Sequence, residues 1–201
     1  MKLYLKFFGK EMKHRIWLAV ASFLVFAVSF HINQYTVGKM EYYYMLFALA
    51  ACATILHDDE IDFLMLGYIQ LPKVFICRYI ASIFAVAGAP SVWLMLFTKE
   101  RRPLKALFAF VVTVVIIAAV GAFFRVLLKS TVASLVCSLC IYVIFLFSGT
   151  LGMFSPFAAM SIANMQTFYI NRFVWIFLSA AMLGISIIVL KMRDRFQKIR
   201  F

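Results

Sequence analysis

The stretch HDDEIDFLMLGY, residues 57–68, places Asp58, Asp59, Glu60 and Asp62 within five residues of a 201-residue chain that has only eight carboxylates. Carboxylates at that spacing can share a hard divalent cation and, through it, neutralise a pyrophosphate. That chemistry needs a second acidic site facing the first. Outside the cluster only Glu11, Glu41, Glu100 and Asp194 remain, each isolated in the sequence.

Written as a pattern, DDEID is DDxxD, which resembles the magnesium-holding motif of prenyl-diphosphate enzymes. A membrane prenyltransferase would carry a second acidic motif and more spans than this length allows, so that reading is an alternative only. A serine hydrolase is the other enzymatic reading, suggested by SGTLG at Ser148. A serine nucleophile needs a base within hydrogen-bond reach. Of His14, His31 and His57, only His31 is expected on the same side of a membrane as Ser148. Cys137 and Cys140 form a CxxC, but they lie with Cys52 and Cys77 in or beside apolar runs, where they read as small packing residues.

The composition decides what can position such residues. The chain is 66% hydrophobic, against roughly 45–50% for an ordinary soluble domain. We expect an all-α integral membrane protein with six transmembrane helices, since about 20 apolar residues make one span. The net charge of +12 does not gather on one soluble face, which argues against a nucleic-acid partner. It sits at the ends of the chain and between apolar runs, as a topology signal does.

Residues 1–15, MKLYLKFFGKEMKHR, mix lysines with Leu and Phe as in an amphipathic helix lying on the lipid surface. No small-residue cleavage site follows the next apolar run, so it is kept as an uncleaved span. The expected spans are 16–33, 40–57, 74–98, 106–128, 131–147 and 173–190. Pro90 falls inside the third and predicts a kink. Residues 148–171 are too apolar for a solvated loop and are broken by Gly149, Gly152 and Pro156. They predict a re-entrant hairpin, because non-helical backbone at membrane depth must be buried in protein or face water.

Six spans put both termini on one side. Lys and Arg then divide 14 to 6, which places the termini in the cytoplasm; the membrane is expected to be a bacterial cell membrane. The loop KERRPLK, 99–105, runs against this bias, carrying four of the six outer charges. Arg78 and Arg125 lie near span ends, from which they can snorkel. Ser134 and Ser138 are expected to bond their own helix or a neighbour. His31 reads as a structural interfacial residue.

At the bilayer centre each acid of the 58–62 cluster would cost about 2.5–3.5 kcal/mol, so the cluster belongs at the interface or beyond. Asp58 and Asp59 suit the start of a helix, where carboxylates accept free amide hydrogens. In that helix Ile61, Leu64, Met65 and Tyr68 keep helical spacing, and Phe63, Leu66, Ile69 and Leu71 make the rest of its circumference apolar. A cytoplasmic helix this apolar needs a cover of lipid or partner, and the acids give that contact a polar rim.

This arrangement resembles a permease subunit of an ABC transporter of the type 2 exporter class. Such subunits have an N-terminal interfacial helix, six spans, a coupling helix between spans two and three, and a re-entrant hairpin between spans five and six. The most specific local likeness is LPKVFICRYIAS, 71–82, where Pro72 would close a coupling helix over 58–72 and Arg78 with Tyr79 would begin span three. Where the family often has a Glu-rich start and a Gly-Thr-Leu-Glu-like run, IDFLMLGY stands instead. The resemblance implies that Asp58, Asp59, Glu60, Ile61, Asp62, Leu64, Met65, Tyr68 and Pro72 contact ABC ATPase subunits, and that a second permease chain completes the pathway. The chain has no GxxxxGK[ST] phosphate loop, so ATP and Mg would be held by the partner and this chain would be neither an enzyme nor a cofactor binder. A mostly apolar lining favours an amphipathic or hydrophobic cargo such as a peptide, drug or lipid. A non-transporting accessory or immunity protein is the competing non-enzymatic reading.

Overall fold

A computed structural model describes residues 9, 13, 15–35, 71–128, 130–147, 162 and 164–199. Among them the regular structure is entirely helical: α1 (Ile16–Ile32), α2 (Leu71–Phe97), α3 (Pro103–Leu128), α4 (Thr131–Phe147) and α5 (Met165–Ile199). Three segments, Pro72–Phe97, Pro103–Leu128 and Met165–Arg193, are long and apolar enough to cross a membrane. The 26 residues of α3 rise about 39 Å, against roughly 30 Å of hydrocarbon. The predicted span over 40–57 and the coupling segment 58–70, with Asp58, Asp59, Glu60, Ile61, Asp62, Leu64, Met65 and Tyr68, lie outside the described residues. So do Gly149, Gly152 and Pro156.

The third helix organises the rest. It packs against α2, α4 and α5, while α1 lies on α2. Within its apolar stretch 67% is buried, compared with 17% for α5, which makes α3 the core helix and α5 a peripheral one. At one end Phe26 and Phe30 of α1 meet Leu94 of α2, Ala106 and Phe110 of α3, and Tyr142 of α4. At the other, Phe75 and Tyr79 of α2 close on Ala118, Ala122 and Val126 of α3 and Leu190 of α5. These pairings make α2 and α3 antiparallel, whereas α3 and α5 run parallel: Arg172 reaches Thr113 near one end, and Arg193 donates to the Val126 carbonyl near the other. The links at 33–35 and 98–102 are joined at one end of the bundle, where the Lys99 amide donates to the Tyr35 carbonyl at 3.1 Å.

Apolar surroundings require every polar group to find a partner within the protein. Ser82, Thr113, Ser179 and Ser186 each donate to the carbonyl four residues back at 2.8 Å. Pro90, buried within α2, has no N–H for the carbonyl of Val86 four residues earlier. Ser22 of α1 donates to that carbonyl at 2.8 Å, so a hydroxyl on the neighbouring helix takes the place of the missing backbone donor.

Several boundaries differ from the sequence expectations. The segments expected as the first and fifth spans, 16–33 and 131–147, are helical as α1 and α4 to within a residue, each 17 residues long and shorter than the three helices long enough to cross a membrane. Span three, expected from 74, opens at Leu71, because Pro72 is tolerated in a first helical turn whose N–H groups lack partners in any case. Span four begins at Pro103 instead of 106 for the same reason. Residues 165–171, assigned to the hairpin, are the first two turns of α5. Arg78 and Arg125 do not snorkel: both are buried, because their ends of α2 and α3 are covered by packing. Ser134 and Ser138 are buried on α4, yet their hydroxyls have no hydrogen-bond partner among the described residues. Their small size suits a close helix contact, and that packing prevails over hydrogen bonding.

Candidate functional site

The chemistry-bearing residues that the described structure does bring together lie at the Lys99 end, where α3 and α5 begin. Pro103 starts α3 in the position its fixed φ favours. Asn164 starts α5, its Oδ1 accepting the amide hydrogen of Gln166 at 2.9 Å as a helix cap. These two starts set Lys105 and Phe108 of α3 beside Phe168, Tyr169 and Arg172 of α5.

Phe168 is the hub. It is fully buried, and Lys105 Nζ lies 4.9 Å and Arg172 Cζ 5.9 Å from its ring centre. Cations at that range are attracted to the ring's negative face, more strongly when desolvated. Lys105 Nζ also donates to the Ile162 carbonyl at 2.7 Å, tying the approach to α5 onto α3. Arg172 is buried to 0% exposure; it donates from Nη1 to Thr113 Oγ1 at 2.9 Å and to the Ala109 carbonyl at 3.5 Å. Enclosing an arginine so completely is costly unless its guanidinium is hydrogen-bonded, as this one is.

Beside this cluster opens a pocket of about 500 Å³ lined by Arg102, Pro103, Leu104, Lys105, Phe108, Met165, Phe168 and Tyr169. Its aromatic wall is continuous: Phe108 stands 6.2 Å from Phe168 and 6.3 Å from Tyr169, and Phe168 and Tyr169 are 5.4 Å apart. Among the described residues its charged lining is Arg102 and Lys105, with no carboxylate beside them. A cationic and aromatic pocket of this kind can bind an anion that has an apolar body.

His31 is exposed near the same end, its Nδ1 sharing a hydrogen bond with Tyr35 Oη at 2.8 Å, while Ser148 lies outside the described residues. No group of three or more His, Cys, Asp or Glu side chains comes together among the described residues; the acid cluster at 58–62 is outside them. Pro72 is half-buried in the first turn of α2, at the opposite end of the bundle from the pocket. The sequence reading passed over Lys105, Phe168 and Arg172. Their legible signals were Phe168 and Arg172 spaced four apart on one helix face, the Asn164 cap, and the unexplained charge of the 99–105 loop. Comparison with protein-family models, curated proteins and solved structures found no match to this chain.

Proposed function

We propose that this chain is the transmembrane permease subunit of an ATP-driven ABC exporter, one half of a translocation pathway for an amphipathic or hydrophobic cargo. The observation that supports the reading best is the placement of Leu71. It opens α2 at the end of the bundle that also holds Arg15, Lys73, Arg78, Arg125 and Arg193. The acid-then-apolar segment 58–70 joins the chain at that basic end, which the charge bias assigns to the cytosol.

In this reading the six-span arrangement has both termini in the cytosol, and residues 58–72 dock on a separate ATPase that holds ATP and Mg. Closure of the ATPase moves that segment, and α2, which continues directly from it, tilts against α3. Because α3 is packed on three neighbouring helices, a tilt of α2 is passed to the core of the bundle rather than lost at its edge. A second permease chain, identical or not, encloses the cavity.

Purification of the tagged chain in mild detergent tests the proposal. The expected result is an ATPase subunit that co-purifies with the wild type and is lost when Met65 and Tyr68 are both changed to Asp, with membrane insertion unchanged. Association that survives the double substitution contradicts the coupling assignment.

A further inference from the structure

The 99–105 loop runs against the positive-inside bias, and the pocket supplies a reason. Two of its four cations, Arg102 and Lys105, line the cavity, and Glu100, the loop's only carboxylate, does not. We propose that the pocket is a binding site for the phosphate headgroup of an acidic membrane lipid, a role that stands whether or not the chain is a permease. Three features point to this ligand class. The charges are positive and sit at the end of the spans, at headgroup level. The ammonium of Lys105 is anchored to the Ile162 carbonyl and the Phe168 ring, leaving it further N–H bonds to give and little freedom to lose on binding an anion.

The third feature separates a lipid from a free phosphate. Tyr169 of the pocket wall begins a stripe at four-residue spacing, Tyr169, Phe173 and Phe177, whose side chains are 44%, 64% and 74% exposed. Eight residues of helix rise about 12 Å, so the stripe leads from the pocket down α5 to the depth at which an acyl chain lies. A soluble anion would have no use for that surface. Leu104, 70% exposed at the rim, extends the apolar side of the same path.

Native mass spectrometry of the full chain, in micelles containing dioleoyl phosphatidic acid or dioleoyl phosphatidylcholine, tests the site. The wild type should retain the acidic lipid at least about fivefold better than the neutral one, the factor expected when a basic residue meets an anionic headgroup. Arg102→Gln, at an exposed position that cannot unfold the bundle, should lower that preference about fivefold. Lys105→Arg should keep it, and Lys73→Gln at the opposite end should leave it unchanged. Inorganic phosphate at millimolar concentration should not displace the lipid. Equal retention of the two lipids, a preference unaffected by Arg102→Gln, or displacement by inorganic phosphate would each overturn the proposal.

Discussion

The Ser22–Val86–Pro90 contact gives a prediction whose size can be worked from the structure. Ser22 is fully buried and its hydroxyl donates to the Val86 carbonyl at 2.8 Å, the acceptor that Pro90 cannot serve. Interhelical side-chain hydrogen bonds in bilayers contribute about 0.6 kcal/mol on average and up to about 1.7. Ser22→Ala should therefore destabilise the fold by about 1–1.5 kcal/mol. In a Pro90→Ala background the amide of residue 90 is available to Val86, so the same change should cost less than about 0.5 kcal/mol. The resulting coupling, about 0.5–1 kcal/mol, exceeds the scatter of about 0.3–0.5 expected for independent sites. The four chains of this cycle can be unfolded with increasing sodium dodecyl sulfate in mixed micelles and followed by tryptophan fluorescence, since Trp93 packs edge-on against Phe23 at 5.4 Å beside the contact. Equal costs in the two backgrounds would refute the reasoning, because the serine would then contribute only through its volume.

Two further outcomes follow from the polar groups inside the bundle. Thr113→Val removes the hydroxyl acceptor 2.9 Å from the Arg172 guanidinium and should destabilise by about 1.5–3 kcal/mol, the usual range for bonds to charged groups, while Thr113→Ser should restore most of it in the same unfolding assay. Ser134→Ala and Ser138→Ala should be neutral or stabilising by up to about 1 kcal/mol, since each removes a buried hydroxyl with no partner among the described residues; a loss above about 1 kcal/mol for either would show that its hydroxyl is engaged.

How much of this was legible in the sequence depended on what ended each apolar run. α1 and α4 were readable to a residue because charge or a capping group stands directly before them. His14 and Arg15 precede Ile16, and Ser130 Oγ accepts the Ala133 amide hydrogen at 3.3 Å just ahead of α4. The start of α3 was hidden because Pro103 and Lys105 read with the charged 99–105 loop, and that of α5 because the breaks at Gly149, Gly152 and Pro156 gathered 148–171 into one hairpin. Arg172 lies just past that hairpin assignment, yet it turns into the protein and donates to Thr113, a partner 59 residues away. The same long-range satisfaction hid the pocket, since nothing local in KERRPLK says that Lys105 will meet Phe168. Conversely, the snorkelling expected of Arg78 and Arg125 failed because it judged each by its distance from a span end, without the neighbouring helices that enclose it.

A permease of this kind must hold residues 58–70 on the cytosolic side of the membrane. With Cys52, Cys77, Cys137 and Cys140 replaced by alanine, single cysteines at Met65 and Arg101 can be probed in spheroplasts with a membrane-impermeant maleimide. Arg101→Cys should label in intact spheroplasts, and Met65→Cys only after permeabilisation. Labelling of Met65→Cys from outside would contradict the assignment and, with it, the permease reading.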